Sequence, residues 1–156
     1  MADIKAPLTD AGRTATGELL QASVVDLIDL SLVAKQLHWH VQDPRFRSVH
    51  LQLDTVVEIS RRFTDILAER SVTIGYPVDG RPSTVAGASA IEGPPTGFVR
   101  AEDACHEMSV ALQGVGERLQ RRIDTSADTD PVSQDQLIAT AQAIQEQSWW
   151  FQAMDA

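Results

Sequence analysis

The chain has 156 residues, of which 43% are hydrophobic and 22% are charged, and this balance excludes a disordered or fibrous protein. Its length predicts one domain that buries a core of its own. The formal net charge is −9 and no run of Lys or Arg is longer than a pair, so electrostatics disfavour nucleic acid as a partner.

The predicted location follows from the first residues and from the absence of long apolar runs. The start MADIKAPLTD lacks the basic and apolar regions of a secretory signal, and the sole cysteine, Cys105, has no internal disulfide partner. No apolar run approaches the ~18 residues of a membrane span. We therefore expect a cytoplasmic protein without a membrane segment.

The first two predicted elements are a tail and a long helix. Residues 1–13 show no periodicity and predict a flexible N-terminal tail, which leaves residues 14–156 for the folded domain. Apolar residues at three- and four-residue steps predict a helix over 14–41, with His38 on its inward face.

Three more long helices are predicted from their start and stop signals. Asp43-Pro44 predicts the N-cap and first residue of a second helix, which ends at GYPVDGRP. In the Gly- and Pro-rich connection 75–97, only STVAGASA can form a short helix. A third helix is predicted over 98–123, and Asp130-Pro131 predicts the start of a fourth, which reaches about Met154. This order predicts an all-α, ferritin-like four-helix bundle with a short helix in the long connection between helices two and three.

One face of the second helix carries a histidine and three carboxylates. At 100° per residue, Asp54, Asp65 and Glu69 lie about 40°, 60° and 100° from His50 around the helix axis. His38 joins this face across the short turn. Nitrogen and oxygen ligands of this kind suit iron, zinc or manganese, so the pattern predicts a metal site.

The spacing of these ligands indicates how the site is completed. His50 and Asp65 are separated by roughly 22 Å along the helix, too far for both to bind one ion. An antiparallel two-fold pairing of two copies of the helix, centred near residues 59–60, would bring the His50 end of one copy against the Glu69 end of the other. Because such an interface is isologous, it predicts two equivalent sites per dimer.

A simpler interpretation of the individual carboxylates stays open. Asp65 is at helical spacing from Arg61 and Arg62 and can pair with them, while Asp54 can face solvent. Taken singly, each acid fits that interpretation, and only the whole set favours a metal.

The run KQLHWHVQDPRFRSVHLQLD, continued by DILAERS, resembles the Dps family of ferritin-like mini-ferritins, the DNA-binding proteins from starved cells. The ferroxidase pattern of that family is a His, a second His twelve residues later, an Asp four later, an Asp eleven later and a Glu four later. This chain reproduces every step, and the resemblance covers the helical chain nearly end to end. The matching residues are His38, His50, Asp54, Asp65 and Glu69.

The resemblance implies a dodecameric shell with catalytic ferroxidase centres shared at two-fold interfaces. Each centre would take two iron ions, oxidise Fe(II), typically with hydrogen peroxide, and deliver ferric mineral to the cavity. His38 would hold the tighter iron together with Asp65 and Glu69 of the partner subunit. His50 and Asp54 would bind the second iron.

Four further residues have proposed roles with alternatives. By similarity to the family, Trp39 packs against the centre or takes up a stray oxidising equivalent; it can equally be an interface aromatic. His40 stands where the family usually has Asn, and it is either a cation at the helix C-terminus or an auxiliary ligand. His106 has no partner at metal spacing and is expected to be a surface or packing residue, and Cys105 is expected to be a buried thiol.

The segment DTSADTDPVSQD offers carboxylates for an iron entry route. In the family, acids at this junction line the three-fold pores, and the candidates here are Asp130 and Asp135, of which Asp135 matches better. The alternative is that Asp130 only caps a helix.

DNA binding in the family depends on Lys- or Arg-rich tails, which this sequence does not show. Lys5 and Arg13 are balanced by Asp3 and Asp10, and the last residues, WWFQAMDA, add no basic group. We therefore expect weak or absent DNA binding. The alternative is a DNA-binding, nucleoid-protecting protein with a secondary iron site.

Two other classes fit the sequence poorly. A monomeric di-iron oxygenase needs Glu-x-x-His pairs, and no glutamate here has a histidine three residues later. A bundle that only scaffolds partners leaves the five-residue spacing unexplained.

Overall fold

The chain is helical almost throughout the residues that the computed structural model describes, Ile4 and 6–155. The predicted tail at 1–13 therefore lies partly outside the described residues. The described part contains the helices α1 (Asp10–His40), α2 (Phe46–Thr73), α3 (Pro82–Ala88), α4 (Ala101–Ser126) and α5 (Pro131–Asp155), and the strands β1 (Val41–Gln42) and β2 (Val99–Arg100).

The four long helices form one bundle with α3 in the connection between its two halves. α1 packs against α2 and α4 packs against α5, and contacts of α1 with α4 and of α2 with α5 close the bundle. The two strands pair in parallel, with Val41 opposite Val99 and Gln42 opposite Arg100. This pairing fastens the α1–α2 turn to the end of the long connection. The predicted bundle with a short helix in the connection is confirmed.

The core consists of the apolar stripes that the helical spacing indicated, and their burial holds the bundle together. His38 continues the buried stripe of α1, with 7% of its surface exposed. None of the helices in the described part is long and apolar enough to cross a membrane. Fully buried positions include Leu20, Leu27 and Ala34 of α1, Leu53, Val56 and Leu67 of α2, Met108, Leu112 and Leu119 of α4, and Leu137, Ile144 and Phe151 of α5.

The first helix begins earlier than its apolar pattern predicted. It starts at Asp10 rather than at residue 14, because the Thr9 hydroxyl accepts a hydrogen bond from the Gly12 N–H at 3.1 Å and so caps the helix. Arg13 also pairs with Asp10 across the first turn. A polar first turn has no apolar stripe, so periodicity did not reveal it.

The predicted cap of the second helix is wrong. α2 begins at Phe46, and Asp43 and Pro44 lie in the preceding turn. The Asp43 carboxylate accepts hydrogen bonds from the N–H groups of Arg45, at 2.7 Å, and of Ala101, at 3.0 Å. It therefore closes its own turn and caps α4 from outside that helix.

The starts of α4 and α5 have different causes. α4 begins at Ala101 rather than at residue 98, because residues 99–100 are taken up by strand pairing with 41–42. α5 begins with Pro131 at its first position, as predicted, and Asp130 accepts a hydrogen bond from the Val132 N–H at 3.3 Å.

A buried ion cluster joins α1 to α4. Asp26, with 3% of its surface exposed, accepts hydrogen bonds from Arg118 at 3.1 and 3.0 Å and from Arg122 at 2.7 Å. Removal of one member of such a cluster leaves the others charged and desolvated, which is costly even when the intact cluster contributes little net stability. Nothing in the sequence pattern predicted this contact between residues more than ninety positions apart.

We expect Asp26→Ala to lower the free energy of unfolding by roughly 3 kcal/mol, because two buried guanidinium groups lose their counter-ion. Asp124→Ala is the matched control, since Asp124 is exposed and bonds only to Gln120; its expected change is within about 0.5 kcal/mol. Unfolding in guanidinium chloride, with all proteins at the same concentration, measures the change in both variants. Equal losses in the two variants would contradict the role of the cluster.

Candidate metal centre

Two histidines face each other across the α1–α2 turn. His38 lies in the last turn of α1 and His50 lies near the start of α2, and the connection between the helices has only residues 41–45. Their rings stack with centroids 3.6 Å apart and planes inclined by 20°. The ring of Phe46 also packs against that of His50, with centroids 4.7 Å apart.

Reciprocal hydrogen bonds indicate the same tautomer for both rings. Nδ1 of His38 lies 2.9 Å from the carbonyl oxygen of His50, and Nδ1 of His50 lies 2.9 Å from the carbonyl oxygen of His38. Because a carbonyl oxygen can only accept, each Nδ1 carries the proton and donates it. In the neutral rings Nε2 then holds the lone pair on both residues, which is the arrangement that orients histidine ligands toward a metal.

Asp54 lies beside this pair on the next turn of α2. Its Oδ1 accepts a hydrogen bond from the Lys35 ammonium group and lies 3.4 Å from Nδ1 of His38. The bond from Lys35 lowers the pKa of Asp54; burial opposes this shift, and the positive charge of Lys35 adds to it. The alternative that Asp54 only faces solvent is therefore wrong.

Sequence reasoning missed Lys35 and Phe46. Lys35 precedes His38 by three residues, about one helical turn, and Phe46 precedes His50 by four, so helical spacing alone could have placed both beside the histidines.

Asp65 and Glu69 occupy the far half of the same helix. α2 is continuous from Phe46 to Thr73, so the estimate of roughly 22 Å from His50 to Asp65 holds. Neither acid forms an ion pair with any described residue, so the alternative in which Asp65 pairs with Arg61 or Arg62 is not seen among these residues. Asp65 lines a cleft of about 380 Å³ between α1 and α2, together with Leu32 and Arg61.

The single subunit brings together three of the five predicted ligands. His38, His50 and Asp54 lie close together, whereas Asp65 and Glu69 are not brought to them. Across Ile4 and residues 6–155, no three His, Cys, Asp or Glu side chains are grouped closely enough to hold a metal ion.

The residues around the histidine pair take distinct positions. Trp39 is exposed, with 63% of its surface accessible. His40 closes α1, and its Nδ1 donates to the carbonyl oxygen of Gln36 at 2.8 Å, a contact expected of a residue at a helix C-terminus. His106 is exposed, 3.5 Å from the Asp155 carboxylate.

Cys105 is fully buried, as predicted, and burial raises the pKa of its thiol to about 11. At neutral pH the group is therefore a protonated, weakly nucleophilic thiol.

The two candidate pore acids differ in their surroundings. Asp130 has 4% of its surface exposed, and its Oδ2 accepts hydrogen bonds from Ser133 and, at 2.7 Å, from Arg70 of α2. Burial alone would raise the pKa of Asp130, but the bonds from Ser133 and Arg70 outweigh it and the pKa lies below its usual value. These contacts favour the cap interpretation for Asp130, while Asp135 is exposed.

We expect Asp130→Asn to lower the free energy of unfolding by about 2 kcal/mol at neutral pH, because the bonds to Arg70 and Ser133 lose their charged acceptor. The folded-state pKa is lowered, so the contribution is present above the unfolded pKa, near 4, and is lost as the pH falls through the folded value. Denaturant unfolding of both proteins as a function of pH measures this.

Asp135→Asn, at an exposed site of the same helix, is the control and should change stability little at any pH. A constant difference between wild type and Asp130→Asn down to the lowest pH at which both fold would contradict the charge-based account.

Comparison with known proteins extends over the whole bundle. A family model of the ferritin-like domain matches residues 17–155. A DNA protection during starvation protein of Mycolicibacterium smegmatis is 30% identical over 146 residues, which cover 94% of this chain and 80% of that protein.

Two solved structures share the fold over nearly their full lengths. The tetragonal form of Mycobacterium smegmatis Dps has a TM-score of 0.93 at 28% identity, and the match covers 99% of this chain and 93% of that one. Dps from Microbacterium arborescens in the high iron form has a TM-score of 0.89 at 29% identity, covering 94% and 95%.

Proposed function

Because this chain belongs to the Dps family of ferritin-like proteins, we propose that it stores iron and detoxifies it as a ferroxidase. Its substrates are Fe(II) and hydrogen peroxide, and two iron ions enter each centre. Ferric mineral then collects inside a dodecameric shell in the cytoplasm. The Dps structure of M. arborescens in a high iron form supports the choice of iron.

The observation that carries this proposal is the reciprocal bonding of His38 and His50. These bonds leave the Nε2 lone pair of each ring available to bind a metal. The ring centroids are 3.6 Å apart, and the carboxylate of Asp54 lies next to the rings. Two adjacent imidazole nitrogens and a neighbouring carboxylate provide ligands for more than one ion, as a two-metal site requires. Imidazole and carboxylate together suit iron.

The reaction balances when two Fe(II) ions react with one peroxide. Each Fe(II) loses one electron, and hydrogen peroxide accepts both electrons and two protons as its O–O bond breaks, giving two waters. Because the two electrons leave from one centre, one-electron reduction of peroxide to hydroxyl radical is avoided. The histidines and carboxylates of the protein hold the two metal ions in place for this step.

The rest of each centre is supplied by a second subunit in this proposal. Asp65 and Glu69 have no ion pair within the described chain, and Leu51 on the same side of α2 leaves 50% of its surface exposed. On α1, Leu32 and Trp39 are seven residues apart, so they share a face, and they expose 54% and 63%. Large exposed apolar side chains beside acids that have no ion pair among the described residues favour a face that another subunit covers.

Within this arrangement His38 holds one iron with Asp65 and Glu69 of the partner subunit, and His50 with Asp54 holds the other. Trp39 then lies at the rim of the centre. Asp135, being exposed, is the better candidate to line an entry pore, since an acidic opening concentrates cations.

In the assay, Fe(II) is added anaerobically and peroxide follows. We expect His50→Ala and Asp65→Ala each to lower the rate at which ferric absorbance appears by at least about tenfold, because each removes a ligand from every centre. Mixed assemblies of the two variants should recover roughly a quarter of wild-type activity. Half of the randomly formed dimers contain one subunit of each variant, and one of the two centres in such a dimer has all its ligands. One quarter of all centres is therefore intact. Stopped-flow absorbance on subunits that were dissociated and reassembled together measures this.

The control is a mixture of His50→Ala with Asp54→Ala. Both changes fall in the same half of the centre, so no pairing restores an intact one and activity should stay low. If the first mixture does not recover activity above this control, the centres are not shared between subunits. Wild-type rates in the single variants would refute the ferroxidase itself.

DNA binding is the second candidate, because the M. smegmatis relative is named for DNA protection. The net charge of −9 opposes it, and no run of Lys or Arg in the sequence is longer than a pair. Protection of DNA through removal of Fe(II) and peroxide would need no contact with DNA.

We expect no retention of duplex DNA in a gel shift at low salt, where phosphate contacts are strongest, because the protein repels the polyanion. A basic-tailed relative serves as the positive control. Tight, salt-sensitive retention of this protein would favour the DNA-binding alternative.

A further inference from the structure

The connection between the two histidine-bearing helices is short and fastened on several sides. Strand pairing fixes 41–42 to 99–100, and the Arg45 guanidinium donates to the carbonyl oxygen of Met154, near the end of α5, at 3.1 Å. Since His38 precedes this connection and His50 follows it, a rotation of the turn would move one ring relative to the other.

Asp43 occupies the centre of this connection in an unfavourable backbone conformation. Its φ is 139°, a value that glycine adopts freely and that other residues adopt only where their surroundings enforce it. Within the described residues it is the one non-glycine residue with positive φ. The enforcing contacts are those of its own carboxylate, whose two oxygens accept from Arg45 N–H at 2.7 Å and Ala101 N–H at 3.0 Å.

The bond to Ala101 reaches a helix that has no other side-chain cap. Arg100 precedes α4 and makes no capping hydrogen bond, while Ala101 is fully buried, so its N–H needs an internal acceptor. A carboxylate at the N-terminus of α4 also interacts favourably with the helix dipole. Asp43 thus anchors the turn to the buried N-terminus of α4.

We propose that Asp43 is a positioning residue for the iron centre: its carboxylate ties the α1–α2 connection to α4 and so holds His38 and His50 in stacked register. This inference rests on the proposed ferroxidase function. Asp43 itself binds no metal. It acts through the five-residue connection, by setting how the end of α1 faces the start of α2.

The chain contains a matched control in Asp79. Its Oδ1 accepts from the Arg81 N–H at 3.0 Å, and its Oδ2 accepts from the Thr84 hydroxyl at 2.7 Å, so it closes a turn before α3 much as Asp43 closes the turn before α2. Asp79 lies in the long connection and has no bond to α1 near His38 or to α2. Loss of its carboxylate should disturb a turn without disturbing the histidines.

The test uses Co(II) alone, added to the assembled wild-type protein and to the variants Asp43→Asn, Asp43→Ala, Asp43→Gly and Asp79→Ala. Visible absorbance of bound Co(II) gives both affinity and ligand geometry. We expect Asp43→Ala and Asp43→Gly to bind at least about tenfold more weakly than wild type, with altered bands at saturation. Asp43→Asn keeps one acceptor oxygen, so its Co(II) affinity should lie between that of these two variants and that of wild type. The Co(II) affinity of Asp79→Ala should stay within about twofold of wild type.

The glycine variant separates the two contributions of Asp43. Glycine relieves the backbone strain but supplies no carboxylate, so weak binding in Asp43→Gly assigns the effect to the two hydrogen bonds. Wild-type affinity and bands in Asp43→Gly or Asp43→Ala would overturn the inference. So would an equal loss in Asp79→Ala.

Sizing chromatography identifies any variant that fails to assemble. In that case the test depends on Asp43→Asn, which is nearly isosteric with wild type. Unchanged Co(II) binding in Asp43→Asn would refute the positioning role. Absence of Co(II) binding in wild type itself would refute the proposed centre, and with it this inference. Normal wild-type binding with unaffected Asp43 variants would refute the inference alone.

Discussion

The reciprocal hydrogen bonds between His38 and His50 are the contact on which the site depends. The carbonyl group of His38 belongs to the last turn of α1, where helical carbonyls have no donor within the helix, and His50 supplies one. In return, the carbonyl of His50 fixes the ring of His38. The same two bonds therefore satisfy the backbone, join the helices and leave both Nε2 atoms available as ligands.

The acids of this chain divide into those that the fold uses and those that it leaves free. Asp26 and Asp130 are buried and paired with arginines of other helices, so their charges are compensated where water cannot reach them. Asp65 and Glu69 share a face of α2 and have no ion pair among the described residues. The acids proposed as iron ligands are therefore not among those that the fold uses in buried ion pairs.

Much of the fold was predictable because its cause is local. The apolar stripes of the four long helices and the proline at the start of α5 are short-range patterns, and the structure agrees with them. The start of α1 was missed because its polar first turn has no apolar stripe, and the cap of α2 was wrong because the partner of its polar residue is distant in sequence. Asp43 looked like the cap of α2 but caps α4, 58 residues away, and no local pattern contains that information.

The sequence by itself determined the helical periodicity and the types and spacing of the candidate ligands, because these depend on neighbours within a few turns. Helical geometry was enough to show that His50 and Asp65 cannot meet within one chain. Only the tertiary structure decided which nitrogen atoms of the two histidines are free of hydrogen bonds to the backbone, that Lys35 bonds to Asp54, and that the turn between His38 and His50 is anchored to α4. Those facts depend on how α1, α2 and α4 pack, and packing is settled by contacts between residues far apart in the chain.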